Sequence, residues 1–194
     1  MGSKRIVLAS QSPRRKQLLE WAEVPFEIIV QSTDESYPPT LPVPEIPVHI
    51  ARQKALVIAN DSNNNLDPST TIIIAADTVV VLENKIIGKP TSRQDAIQIL
   101  LSLSGKQHQV ITGVVLLHNG KEIAFSDTTH VWFHSLTQEQ VAFYVDKYQP
   151  YDKAGAYAIQ EWIGVTGIRK IEGDFYNVMG LPVSRVIKQL SELL

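Results

Sequence analysis

TIIIAADTVVVL, residues 71–82, is almost wholly apolar and rich in β-branched side chains. Branching at Cβ stiffens the side chain and suits the pleated backbone, and an apolar run without alternation belongs to a strand covered on both faces of a sheet. Asp77 interrupts the run. An unpaired carboxylate there would cost several kcal/mol, so Asp77 needs a partner, a metal ion or a place at a strand end. A water that it deprotonates would give the carboxylate a chemical reason to be there; pairing with a core lysine or capping a turn would give it a structural one.

Towards the N-terminus, Ile6 to Ala9 is a short apolar run ending at Ser10. Ser12-Pro13 then introduces RRKQLLEWA, with Leu18, Leu19 and Ala22 on one helical face, so the segment reads as strand, tight loop, helix. Ser12 as N-cap with Pro13 at the first helical position leaves backbone amides at the helix start, where Arg14, Arg15 and Lys16 add positive charge. Such a corner suits a triphosphate, although capping alone also accounts for Ser-Pro. Phe26 to Val30 is a second extended stretch, followed by STDESYPPTLPVPEIP, whose prolines exclude a continuous helix and predict a long surface loop. On that loop Glu35, beside Asp34, offers a second oxygen ligand for a hard cation that carries phosphates; alone it reads as a solvated acid. Helix resumes near Pro47 with VHIARQKALVIA, and Asp61 to Ser69 is a polar, Asn-rich solvated loop.

Towards the C-terminus, SRQDAIQILLSLSG has the helical period, with Ser92 as N-cap and Gly105 as C-cap. HQVITGVVLLHNG ends in an Asn-Gly turn signal, and KEIAFSDTTHVWFHSL continues as the next strand. Ser135 to Lys147 reads as an amphipathic helix, YDKAGAYAIQ and EGDFYNVMGLP as Gly-containing turns, and Val183 to Leu194 as a last helix. No repeat or linker divides residues 1–194, so strands alternating with helices predict one layered α/β domain around a mixed sheet.

Composition narrows the function. With 44% apolar and 20% charged residues, the 194-residue chain can bury a real core. A net charge of -2 from 18 basic and 20 acidic side chains lacks the basic field of a nucleic-acid binder, and no RNP-like aromatic motif or basic stripe points to RNA. The absence of cysteine removes disulfides, thiolate metal sites and a cysteine nucleophile, and fits a reducing compartment. The apolar run in MGSKRIVLAS is too short for a signal-peptide core or a membrane span, and Gly2 lacks the following Ser or Thr of a myristoylation site. These features predict a cytoplasmic protein with no membrane and no nucleic-acid partner. The five histidines have no zinc-site spacing, and neither GxxxxGK[ST] nor GxGxxG occurs. Lys54 in HIARQKA, Lys89 in GKP and Lys153 in DKAGAY each read singly as exposed lysines; only convergence on one ligand would make them more.

Taken together, SQSPRRKQLL, HIARQKA, AADTVV, GKP, SGKQHQVITGV, YDKAGAYAIQ and GDFYNVMGLP resemble the Maf family of nucleotide pyrophosphatases, in the family's order from Ile6 to near Val183. The resemblance implies an ITPase-like fold, an elongated three-layer α/β domain with a mixed central sheet and a deep cleft. It implies hydrolysis of a nucleoside triphosphate to the monophosphate and pyrophosphate with magnesium or manganese, and a homodimer. By the same resemblance Asp77 is the general base and a metal ligand, and Glu35 is an acid near the metal. Ser10, Arg15, Lys54 and Lys89 are phosphate contacts. The DKAGAY block with Lys153, together with Arg14, Thr78 and Gln160, resembles the branch that acts on dTTP and UTP rather than the branch that takes 7-methyl-GTP. Gln11, Ala158 and Glu161 depart from the family's smaller residues at those places. The family resemblance also permits another class of function, a nucleotide-binding regulator of cell division, which would bind without metal-dependent pyrophosphate release.

Overall fold

The computed structural model describes residues 4–193, so Gly2 and Leu194, to which the sequence extends the last helix, lie outside the described residues. The strands are β1 (Arg5–Leu8), β2 (Glu27–Ile28), β3 (Thr71–Leu82), β4 (Lys85–Ile87), β5 (Gln107–His118), β6 (Lys121–Phe133) and β7 (Ile168–Glu172). They form one mixed sheet in the order β2-β1-β3-β5-β6-β7, with β4 paired to β3 off that path. β1 runs parallel to β2 and β3, whereas β3 with β4 and β6 with β7 are antiparallel. Asn119 and Gly120 join β5 to β6 with φ of 48° and 72°, the left-handed pair whose twist matches a hairpin.

The helices are α1 (Pro13–Trp21), α2 (Ile46–Asn60), α3 (Arg93–Leu103), α4 (Gln138–Tyr148), α5 (Trp162–Gly167), α6 (Phe175–Met179) and α7 (Val183–Leu193). The mixed α/β architecture agrees with the sequence reading; several details differ. α3 is capped at its C-terminus by Ser104, not Gly105, which follows with φ of 70° and gives its N–H to the His134 carbonyl. α4 begins three residues later than the amphipathic pattern indicates, because Thr137 and Gln140 form a reciprocal capping box. The tail turns out to hold α5, β7 and α6, each only five or six residues long and so too short to show a hydrophobic period. Among the described residues no helix is long and apolar enough to cross a membrane.

The residues gather in two compact units. One comprises Met1–Asp77, Thr112–Asp127 and Gly180–Leu194; the other comprises Thr78–Ile111 and Thr128–Met179. In the first, α2 lies on β1, β3 and β5, with Ala51, Ala55 and Ile58 packed against Val7, Ala9, Ile73, Ala75 and Val115. Small alanines let the helix sit close to the strands. Gly113 permits the approach at the start of α2: a Cβ on it would lie 2.2 Å from the Val48 nitrogen and 2.3 Å from the Pro47 carbonyl carbon. Backbone cannot swing aside as a side-chain tip does. Gly113→Ala should therefore cost about 3 kcal/mol or more of stability in denaturant melts, and a loss below about 1 kcal/mol would show that α2 is not seated there.

In the second unit, His108 on β5 is 2% exposed, and its Nε2 lies 2.7 Å from the Tyr157 hydroxyl. Its ring meets Phe133 and Tyr157 edge-on at 5.1 and 5.5 Å, and Nδ1 is buried without a hydrogen-bond partner. Burial pulls the imidazole from its ordinary 6.5 down to about 4. Between those values the unfolded chain binds a proton that the folded chain refuses, so stability is whole above pH 6.5 and is lost as pH falls towards 4. The loss is on the order of 3 kcal/mol. Denaturant melts from about pH 7.5 to about pH 4.5 should fall more steeply for the native protein than for His108→Gln, which keeps a partner for Tyr157; parallel profiles would contradict the burial effect.

Candidate active site

Two periodicities bring the charged groups of the first unit together. Alternation along β3 places Asp77 on the same face as Ile73 and Ala75, the face that α2 covers. On α2, Lys54 directly precedes Ala55, which is fully buried against those strands. The Lys54 Nζ donates to Asp77 Oδ1 at 2.7 Å and lies 2.7 Å from Glu35 Oε1. The Asp77 and Lys54 side chains keep 15% and 18% exposure, so the pair sits at the edge of the core, within reach of solvent, while Glu35 is exposed. The partner that burial demanded for Asp77 is thus a lysine that also faces phosphate in the sequence reading.

Beside this pair lies the strand-to-helix corner. Ser12 caps α1 by accepting from the Arg15 N–H, with Pro13 opening the helix. Arg15 points inward, 9% exposed, giving Nε to the Gly180 carbonyl at 2.8 Å and Nη1 to Ser10 Oγ at 3.1 Å. Ser10 Oγ also accepts from the Ser12 N–H at 3.2 Å. Burial, above all, lowers the guanidinium's pKa from its ordinary value; Asp77 and Glu35 pull it back up, and Arg14 adds a like charge. Those influences place Arg14, Arg15, Glu35 and Asp77 in one electrostatic neighbourhood. A cation fixed by a carbonyl and a hydroxyl loses little freedom when an anion arrives, which is the property a phosphate site needs.

Asp77 and Glu35 are the residues that the family resemblance sets near a metal ion. Among the described residues no three His, Cys, Asp or Glu side chains gather as a metal cage. Two carboxylates around one cationic nitrogen are nonetheless a hard-oxygen set of the kind magnesium uses when most of its ligands are water and phosphate oxygens. The donor set fits an ion that arrives with a polyphosphate.

The remaining residues singled out in the sequence, Thr78, Lys89, Lys153 and Gln160, belong to the second unit. The GKP and DKAGAY segments meet there: the Gly155 N–H donates to the Gly88 carbonyl at 3.1 Å. Gly155 has φ of 72°, and a Cβ on it would press on Val80 at 3.0 Å. Lys89 and Gln160 are exposed, while Lys153 is buried, with Nζ 2.8 Å from Asp152 and 3.7 Å from Glu161. In the sequence Glu161 stands out only as a departure from a smaller residue; in the fold its carboxylate accepts from the Tyr144 hydroxyl. Tyr144 was missed because, three residues from Val141 and next to Val145, it reads as one more apolar core position of α4.

The model of the Maf-like protein family matches residues 5–193. The chain belongs to the Maf family. Relatives of this Maf chain include a protein of Bacteroides fragilis, 47% identical over 190 residues, covering 97% of this chain and 96% of that protein. One from Cytophaga hutchinsonii is 46% identical over 188 residues, covering 97% and 84%, and one from Porphyromonas gingivalis is 43% identical over 189 residues, covering 97% and 94%. All three are named dTTP/UTP pyrophosphatase. Among solved structures, the Staphylococcus aureus Ham1 protein aligns with 67% of this chain and 72% of its own, at TM-score 0.44 and 16% identity.

Proposed function

We propose that this Maf chain is a cytoplasmic nucleoside triphosphate pyrophosphatase that hydrolyses dTTP and UTP to the monophosphate and pyrophosphate. The observation that carries the reading is the Lys54 ammonium held by Asp77 and Glu35 beside the buried Arg15. The names of the relatives support the same substrates.

In this reading Asp77 takes a proton from the water that attacks the α-phosphorus. The new oxygen-phosphorus bond forms as the bond to the bridging oxygen breaks, and pyrophosphate leaves with that electron pair. Arg15 and Lys54 offset the charge that spreads over the phosphoryl oxygens, since phosphoryl transfer relies on positioning and electrostatics more than on covalent chemistry. Ser10 orients Arg15 and accepts or donates at the same corner. Asp77 and Glu35 would hold a magnesium or manganese ion, which when bound supplies Lewis-acid polarisation of phosphate oxygens. Arg14, Lys89 and Lys153 serve as further substrate contacts, and Gln160 with the backbone near Thr78 reads the uracil or thymine edge, as the family resemblance implies. A base edge whose hydrogen bonds go unreturned leaves buried polar groups unpaired, which discriminates strongly.

Pyrophosphate release from dTTP, UTP, CTP, GTP and 7-methyl-GTP, with and without magnesium, tests the reading. Turnover of dTTP and UTP at least about tenfold above the others, and only with the metal, is expected. A purine preference would overturn the substrate assignment, and tight nucleotide binding without metal-dependent release would make the chain a binding protein.

A further inference from the structure

Gln160 stands on a turn that is held from behind. Ala158 and Ile159 are each 3% exposed, while Gln160 is exposed between them and Glu161. The Glu161 N–H returns to the Ala158 carbonyl at 3.2 Å, closing the turn. The Ile159 carbonyl rests on Gly164 of α5, where a Cβ would lie only 1.7 Å from its oxygen. Glu161 is the N-cap residue of α5, yet its side chain makes no capping bond to that helix.

The carboxylate goes elsewhere. Tyr144, fully buried on α4, donates its hydroxyl to Glu161 Oε2 and accepts the Ala158 N–H at 3.1 Å. The other oxygen of Glu161 faces the Lys153 ammonium at 3.7 Å. One buried hydroxyl and one carboxylate therefore tie together the start of the turn, its end and the lysine of the DKAGAY segment. A hydroxyl in a core helix costs desolvation unless both its donor and acceptor sides are used, and here both are. Such satisfied buried networks rigidify what they join.

We propose that Tyr144 and Glu161 form a positioning pair that sets the geometry of Gln160 and Lys153, and so sets base selectivity without touching substrate. The inference rests on the proposed base-reading role of Gln160. The acidic residue at 161 and a tyrosine on a different helix together keep the amide of Gln160 at a fixed place on the turn. Preorganised hydrogen-bonding groups discriminate between bases better than mobile ones, because a mobile amide can follow the wrong partner.

The test uses Tyr144→Phe, Glu161→Gln and Glu161→Ala in the full chain. Tyr144→Phe keeps the ring that fills the core, so folding is retained, and Glu161→Gln keeps an acceptor for Tyr144 while removing the charge that faces Lys153. Steady-state kinetics with dTTP and GTP should show KM for dTTP raised about tenfold in Tyr144→Phe and Glu161→Ala, kcat within about twofold, and a reduced preference for dTTP, with Glu161→Gln between them and the wild type. The Tyr144→Phe, Glu161→Ala double variant should be no worse than the worse single, since the two act as one device. Hydrogen exchange on the nucleotide-free protein should show the Ala158 amide exchanging at least about tenfold faster in Tyr144→Phe, with β3 amides unchanged.

Unchanged KM and selectivity would overturn the proposal, even if exchange quickens, because the pair would then serve packing alone. Unchanged exchange at Ala158 would overturn it too. A wild-type protein that shows no pyrimidine preference would sink the substrate reading instead; the positioning claim is then judged on Ala158 exchange and on KM for the triphosphate that is turned over.

Discussion

Asp77→Asn is expected to yield a folded protein that binds dTTP yet releases pyrophosphate roughly 10³-fold more slowly than the wild type. Asparagine keeps the shape of the side chain and an oxygen for the Lys54 ammonium, which lies 2.7 Å from Asp77 Oδ1. The side chain retains 15% exposure, so losing its charge does not strand a partner deep in the core. What disappears is the capacity to accept a proton from the attacking water. The melting temperature should stay within a few degrees of the wild type while kcat collapses. Retained turnover would remove Asp77 from its role, and loss of binding together with fold would mean that the carboxylate serves the strand alone.

Lys54→Met should have the second large effect, a fall of roughly 10² to 10³ in kcat/KM, the loss typical when one fixed donor to a developing charge is deleted. Methionine preserves the apolar stem beside Ala55, so the packing of α2 on the sheet survives. Asp77 and Glu35, which share that ammonium at 2.7 Å each, are left facing each other and the incoming phosphates with a cation fewer. Lys54→Arg should recover part of the rate, because it returns the charge with a different reach. If methionine and arginine variants are equally inactive, shape rather than charge governs the position; if methionine costs less than about threefold, Lys54 does not meet the phosphates.

The parts of the fold that were legible in the sequence are those where one period dominates. β3 announces itself as a twelve-residue stretch of which nine are apolar, and its bounds in the fold, Thr71–Leu82, are those of the run. Ser12-Pro13 and Ser92 mark helix starts because capping chemistry is local and needs no knowledge of the tertiary structure. Asp77 stood out because a carboxylate in a buried run must be answered by something. Which group answers it is a tertiary fact: Lys54 is 23 residues away in sequence, and Glu35 sits on a proline-rich loop with no period from which its position could be read.

The second unit was harder for the same reason. Tyr144 looks like any aromatic on the inner face of a helix, and only its hydroxyl, aimed at Glu161 and Ala158, distinguishes it. Glu161 was visible as a departure from a small residue, yet neither its partner nor its direction could be inferred from the local sequence. α5 and β7 hold two glycines and an exposed face respectively, so neither offers the burial pattern from which short elements are recognised.

The crystal structure of the chain with magnesium and α,β-imido-dTTP, whose scissile bridge resists hydrolysis, tests the central claim most directly. The triphosphate is expected against Ser10, Arg15 and Lys54, with the α-phosphorus close enough to Asp77 for one water to stand between them. A nucleotide bound away from that corner, with Asp77 still paired only to Lys54, would contradict it.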